Sequence, residues 1–327
     1  MSYALYISNL ANAITAGADL SEQEAHDLFG AMLDGGVADL ELGALLIALH
    51  VKGEAPAELL GFERALDERT FKLRIPAGSA CPVILPCYGG DGTRAIVLPL
   101  LALLLKRFRI PVLIHGELNS RARVPAAYVL RELGVMPCAS AVAAQQELDA
   151  GRVAFVPTAV LAPGLAALLS LRERLGVDSS PQMMAKLIEP FDQEGVRMIR
   201  AHGAACAEKV SDLLLATGAR ALLLNCANPD AAGNVARRPA LQFFDAGSSH
   251  VLFESDNGHA AATFSPPSDL DAASAAATVR AAIAGHGQIP LPVVNQLACC
   301  LFAAGYAADL NQAKAIVALK TSWPAAA

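Results

Sequence analysis

Residues Leu20–Leu66 read LSEQEAHDLFGAMLDGGVADLELGALLIALHVKGEAPAELLGFERAL, and their periodicity sets the architecture of the first 70 residues. Ser21-Glu22-Gln23-Glu24 spells a capping box, in which the Ser21 hydroxyl accepts from the Glu24 amide and the Glu24 side chain reaches back. Ala25, Leu28, Phe29 and Met32 follow at helical spacing, and Gly35-Gly36 stop the helix. Leu42, Leu45, Leu46 and Leu49 form the next apolar face, which Gly53 ends. Pro56 sits early in a third helix, where its missing N–H costs little. That helix runs through Leu59, Leu60, Phe62 and Leu66. The opening is a small all-α bundle.

Downstream the pattern changes. Pro82-Val83-Ile84-Leu85 is a buried-strand signal. A glycine loop follows, Cys87-Tyr88-Gly89-Gly90-Asp91-Gly92, then a helix over Ile96–Phe108, a strand over Pro111–Ile114 and a polar loop over His115–Arg123. Helices are expected near 124–133 and 140–149, with a strand at Val153–Val156. This rhythm is βαβ and implies a parallel sheet. Residues 158–190 read as helical and Arg220–Asn225 as a strand. The loop-rich segment 226–270 holds strands near Leu241–Phe244 and His250–Glu254, and 271–320 reads as three helices.

Of the 327 residues 54% are hydrophobic and 17% charged, so a large core is available and disorder is excluded as the main state. The longest apolar run, Ile96–Leu105, ends at Lys106-Arg107 and is too short for a bilayer. The N-terminus has no basic region before an apolar stretch, so a cytoplasmic protein without membrane contact is expected. Seven scattered cysteines with no C-x-x-C pair read as reduced thiols rather than a zinc site. The net charge of −6 is uneven. Residues 1–68 hold twelve acids against two bases, a balance of −10, whereas 69–131 hold ten bases against two acids, a balance of +8. A basic middle in an acidic chain suggests a local anion site, or surface pairing of acidic helices with basic loops. A glycine loop between strand and helix suits phosphate, because backbone amides and the positive helix end meet there. An ordinary tight βα turn fits as well, since the G-K-[ST] and G-x-G-x-x-G patterns are absent.

Together these residues resemble the anthranilate phosphoribosyltransferase family, glycosyltransferase family 3. Lys52-Gly53-Glu54, Glu58-Leu59 and Gly61 match its K-G-E-x-x-E-L-x-G signature, and Leu171-Arg172-Glu173-Arg174-Leu175-Gly176 resembles its V-R-x-E-L-G helix. The glycine loop resembles its G-T-G-G-D, and His115-Gly116 stand in its K-H-G-N-R loop. The resemblance implies an α/β protein of the nucleoside phosphorylase/phosphoribosyltransferase-type fold. It would have a small all-α domain (1–70 with 158–190) and a larger α/β domain (71–157 with 191–327) around a central, mainly parallel sheet. It also implies a homodimer through the α domain. In the family's enzymes the ribose-phosphate donor, PRPP, binds at the glycine loop with magnesium.

Several of the family's polar groups are missing. Its T-F-N-I-S-T becomes Ala95-Ile96-Val97-Leu98-Pro99-Leu100, and its K-H-G-N-R becomes Ile114-His115-Gly116-Glu117-Leu118. Its magnesium-holding acidic pair aligns with Ala231-Ala232. Transfer of ribose phosphate develops charge that positioned donors and metal stabilise. The reading therefore assigns no catalytic residue, no metal ligand and no cofactor. Magnesium returns only in the alternative, transfer of ribose 5-phosphate to an aromatic amine or base such as anthranilate. Pro86–Val124, with Pro99-Leu100-Leu101-Ala102, resembles the YbiB-type branch, which is associated with nucleic-acid binding without sequence preference. That resemblance implies a phosphate-binding set of Tyr88, Gly89, Gly90, Asp91, Gly92, Arg94, His115 and Arg172. It implies single- or double-stranded DNA contacts at Lys106, Arg107, Arg109, Arg121, Arg123 and Lys186. Each has a plainer role open to it: Tyr88 packed under the loop, His115 a structural histidine at a strand end, Arg172 paired with an acid. Asp91 could cap the following helix, and Lys106, Arg107 and Arg109 could form a solvated helix end.

Overall fold

The computed structural model describes residues 3–16, 19–88, 94–118, 124–226, 239–255, 271–287 and 289–321. The chain divides into two compact units, 1–72 with 158–190 and 73–157 with 191–327.

The first unit is helical. It holds α1 (Tyr3–Ala16), α2 (Glu22–Leu33), α3 (Asp39–Lys52) and α4 (Pro56–Asp67). The short helices α8 (Thr158–Leu161), α9 (Pro163–Ser170), α10 (Arg172–Leu175) and α11 (Ser180–Met184) complete it. Ser21 caps α2 with both halves of the capping box in place. Phe29 of α2 and Phe62 of α4 stack with centroids 4.7 Å apart, and neither ring is exposed.

The K-G-E-x-x-E-L-x-G residues prove to be structural. Glu58 is fully buried and accepts from the amides of Leu20 (3.0 Å) and Ala55 (2.8 Å) and from the Lys52 ammonium (2.7 Å). Lys52 also bonds Asp19 at 2.7 Å. A buried carboxylate survives because its oxygens are occupied by donors and one is cationic. Gly53 turns the chain at φ 75°, and Glu54 accepts from the buried Ser180 hydroxyl at 2.7 Å. At Gly61 a Cβ would lie 2.3 Å from the Glu22 carbonyl oxygen, so α2 and α4 cross backbone to backbone.

The second unit is a seven-stranded sheet with helices around it. Its strands are β1 (Val83–Cys87), β2 (Val112–Gly116), β3 (Ala154–Pro157), β4 (Val196–His202), β5 (Ala221–Cys226), β6 (Ala240–Asp245) and β7 (Ser248–Phe253). Their order is β3-β2-β1-β4-β5-β6-β7. The first five run parallel, and β6 and β7 add antiparallel strands at one side. Helices α5 (Arg94–Arg107), α6 (Ala126–Glu132), α7 (Ala141–Asp149), α12 (Ala204–Thr217), α13 (Ala272–Ile283), α14 (Leu291–Ala303) and α15 (Leu310–Thr321) belong to this unit. The fold class is the one the sequence implies: a small helical domain and an α/β domain with a mainly parallel sheet.

Two local readings are corrected. The expected loop over His115–Arg123 begins later, because β2 continues through His115 and Gly116, paired to Pro86 and Cys87 on one side and Val156 and Pro157 on the other. Gly116 tolerates that packing only without a side chain: a Cβ would fall 2.1 Å from the Cys87 carbonyl oxygen. The segment between 190 and 220 also contributes β4, which lies between β1 and β5 in mid-sheet. Helix α5 is the unit's central helix. Its residues 95–102 are all buried, as expected for a helix apolar all round.

Replacing Glu58 with Ala leaves Lys52 and the Leu20 amide without their buried acceptor. We expect E58A to cost about 3 kcal/mol, seen as a lower urea midpoint with an unchanged m-value. G61A, which forces α2 off α4, should cost about 2 kcal/mol or more. A midpoint within error of wild type for E58A would refute the account of the signature.

Candidate functional site

Strand order reverses once in the parallel part of the sheet. From β1 the chain moves to β2 and β3 on one side, then to β4 and β5 on the other. In such sheets the crevice outside the carboxyl ends of the two strands flanking the reversal is where ligands bind. Here those strands are β1 and β4.

Tyr88 follows β1 directly and is half-buried. Its hydroxyl shares a 3.0 Å hydrogen bond with Nδ1 of His115, and the rings meet edge to face at 5.5 Å. His115 is fully buried, and burial lowers its pKa to about 3. The imidazole is thus neutral at neutral pH and offers no surface atom to a phosphate. Tyr88 and His115 pack against one another through this hydrogen bond and ring contact. His115 Nε2 is buried with no hydrogen-bond partner among the described residues. The other loop candidates, Gly89, Gly90, Asp91 and Gly92, lie outside the described residues, as do Arg121, Arg123 and the Ala231-Ala232 pair. Arg94 opens α5.

The crevice itself is lined by Leu85 and Pro86 of β1, Val97, Leu98 and Leu101 of α5, Met198 and Arg200 of β4, and Gln296 of α14. Where the family's pattern has hydroxyls, the first turns of α5 present Val97 and Leu98. Arg200 and Gln296 were not among the sequence candidates. Among the described residues that line the crevice, the ionisable group is a guanidinium and none is a carboxylate. Among the described residues no three His, Cys, Asp or Glu side chains converge as a metal-ligand set.

The basic run is divided by the fold. Lys106 and Arg107 close α5, and Arg109 follows in a positive-φ conformation at 58°. Thirteen residues at 1.5 Å each place them about 20 Å from the first turn of α5, at the opposite edge of the sheet. All three are exposed. Arg107 donates to the Ile283 carbonyl of α13 at 2.9 Å, and Arg280 of α13 donates to the Glu132 carbonyl of α6. Two helix C-termini are thereby closed by arginines from neighbouring helices, the arrangement their dipoles favour. Arg172 pairs with Asp178 at 2.5 Å in the helical unit, where Lys186 lies half-buried in a short 3₁₀ turn. The helical unit also contains a cavity of about 350 Å³ beside Asp34, Arg69 and Phe71. Its charges are matched internally, since Arg69 grips Asp34 through two 2.8 Å bonds.

Comparison with known proteins places this geometry. The profile of the glycosyl transferase family helical bundle domain matches residues 8–70. The protein YbiB of Escherichia coli (strain K12) is 34% identical over 318 residues, covering 97% of this chain and 99% of that protein. The chain belongs to glycosyltransferase family 3, in its YbiB-type branch. Other family members match over a shorter span. The anthranilate phosphoribosyltransferase of Methanothermobacter marburgensis is 31% identical over 178 residues, 54% of this chain and 50% of that enzyme. Among solved structures, the anthranilate phosphoribosyltransferase of Thermus thermophilus superposes with a TM-score of 0.76 at 22% identity, covering 96% of this chain and 94% of that one. The Saccharomyces cerevisiae enzyme in complex with PRPP and Mg gives 0.73 at 12% identity, covering 98% and 93%. These two likenesses show the shared fold.

The depressed His115 pKa has a testable sign. The unfolded chain takes up this proton near pH 6.5 and the folded chain only near 3, so the unfolded state binds more protons in between. Stability is full above about pH 6.5 and falls as pH drops through that window, by up to about 1.4 kcal/mol per pH unit. Urea midpoints measured from pH 7.5 to 5 should fall more steeply for wild type than for H115L. Equal slopes would show that His115 is not held neutral.

Proposed function

We propose that this member of the family is a homodimer that binds nucleic acid, single- or double-stranded, through its phosphates and without sequence preference. One observation carries the reading. The crevice at the strand reversal has exchanged hydroxyl donors for an apolar helix wall and keeps a guanidinium, Arg200, with no carboxylate among its lining residues. Such a lining favours an anion over a cation. The basic residues at both edges of the sheet support a long ligand over a small one. About 20 Å separates the first turn of α5 from Lys106, Arg107 and Arg109, a span of about six base pairs at 3.4 Å each. A mononucleotide cannot reach both edges. Gly89, Gly90, Arg121 and Arg123, with Arg94 at the start of α5, would add phosphate contacts, as would Arg172 and Lys186. No cofactor is required.

The dimer would form through the helical unit. On α3, Leu40, Ile47 and Val51 are 82%, 37% and 58% exposed and recur with helical spacing on one side. Leu5 of α1 adds a further exposed apolar side chain, 65% accessible. Exposed apolar side chains recurring on one side of a helix favour an interaction surface there. A second reading, transfer of ribose 5-phosphate from PRPP to an aromatic amine or base, rests on the fold shared with the yeast enzyme solved with PRPP and Mg. Calorimetry with PRPP and magnesium separates the two, since tight binding heat favours transfer.

The salt dependence of DNA binding tests the main reading. A labelled oligonucleotide should bind at low salt, with log K falling against log salt at a slope of about −3 or steeper. Absence of binding at low salt, or a slope near zero, would overturn it. Sedimentation should show a dimer for wild type and a monomer for an I47E/V51E double variant.

A further inference from the structure

We propose that Arg200 and Gln296 form a two-pronged clamp for a single phosphoryl group in the crevice between β1 and β4. Arg200 is half-buried near the carboxyl end of β4 and makes no hydrogen bond or ion pair among the described residues. Gln296 of α14 is only 4% exposed, and its carboxamide also makes no hydrogen bond among the described residues. Both side chains line the same crevice, whose remaining walls are apolar: Leu85, Pro86, Leu98 and Met198 among them.

Neither side chain spends its donors on another described residue, so both have hydrogen-bonding capacity to offer a ligand in the crevice they share. The chemistry of that partner follows from theirs. A guanidinium only donates, through five N–H groups in a fixed fork, and a carboxamide can turn its NH₂ to donate as well. Together they fit an acceptor-rich anion. Apolar walls strengthen such charge-assisted bonds by excluding water. Val97 and Leu98, in the first turns of the 14-residue helix α5, also line the crevice, so the positive end of that helix borders it. The enclosed space is about 20 Å³, room for about one water-sized group and too small for a sugar ring. One phosphoryl oxygen enters, and the remainder of the ligand stays outside. The phosphoryl group can belong to a polynucleotide backbone or to a free sugar phosphate; the clamp is the same for both.

The test uses the full chain and three probes in calorimetry: ribose 5-phosphate, an oligothymidylate of about 12 nucleotides, and ribose as the uncharged control. Wild type should bind at least one phosphorylated probe and not ribose. R200Q should weaken that binding by about tenfold or more and Q296L by a smaller factor. Melting of the ligand-free variants should not fall below wild type, because the clamp holds nothing within the protein; a merely structural role would lower it. An Arg200-dependent loss with the oligonucleotide alone assigns a polymeric ligand, and with ribose 5-phosphate alone a small one. The second result would retain the clamp while counting against nucleic acid as its ligand. The clamp is overturned if wild type binds neither phosphorylated probe, or if R200Q and Q296L bind as tightly as wild type. Oligonucleotide binding untouched by R200Q would leave the proposed function standing without this site.

Discussion

The reversal of strand order between β1 and β4 fixes where a ligand can meet the α/β unit. A parallel sheet brings all its carboxyl ends to one edge, and adjacent connections leaving in opposite directions open a gap only at the reversal. Arg200 on β4 and Gln296 of α14 both line that gap, while Tyr88 after β1 and His115 at the end of β2 bond one another at the same edge of the sheet. The position is inherited from the fold. The lining is this chain's own, and it carries a guanidinium between hydrocarbon walls.

Much of the fold was legible because its cues are local. The Ser21–Glu24 capping box, the Gly53 stop and Pro56 at the start of α4 each act within one turn of helix, and the structure shows each in place. Strand β4 was not legible. Buried parallel strands usually read as runs of Val, Ile and Leu, whereas Val196-Arg197-Met198-Ile199-Arg200-Ala201-His202 mixes two arginines and a histidine into seven residues. Arg200 was missed with it. The polar residues that disguise the strand are the ones its position at the crevice makes useful.

The candidate site was harder to read than the fold, and the reason is geometric. Lys106, Arg107 and Arg109 share a charge run with Arg94 in the sequence, yet a helix of 14 residues carries them to the far edge of the sheet. Their surroundings there are helix C-termini. Arg107 on the Ile283 carbonyl and Arg280 on the Glu132 carbonyl neutralise negative helix ends, so part of that positive charge is matched inside the protein. The family signature in the helical unit has a structural basis: Lys52 and Glu58 form a buried ion pair on two amides, and Gly61 lets two helix backbones cross.

Net charge is a poor guide to what such a protein binds. The chain is acidic overall at −6, but the acids of the helical unit are extensively paired: Asp19 and Glu58 with Lys52, Glu22 with Arg64, Asp34 with Arg69, Asp67 with Lys72. Paired charges project little field beyond a Debye length of about 8 Å at physiological salt. An unpaired guanidinium in an apolar crevice projects more at close range than several exposed, matched ones, because low-dielectric walls focus its field. Under the proposed function, anion recognition would turn on which cations lack a partner, and among the described residues lining the crevice that cation is Arg200.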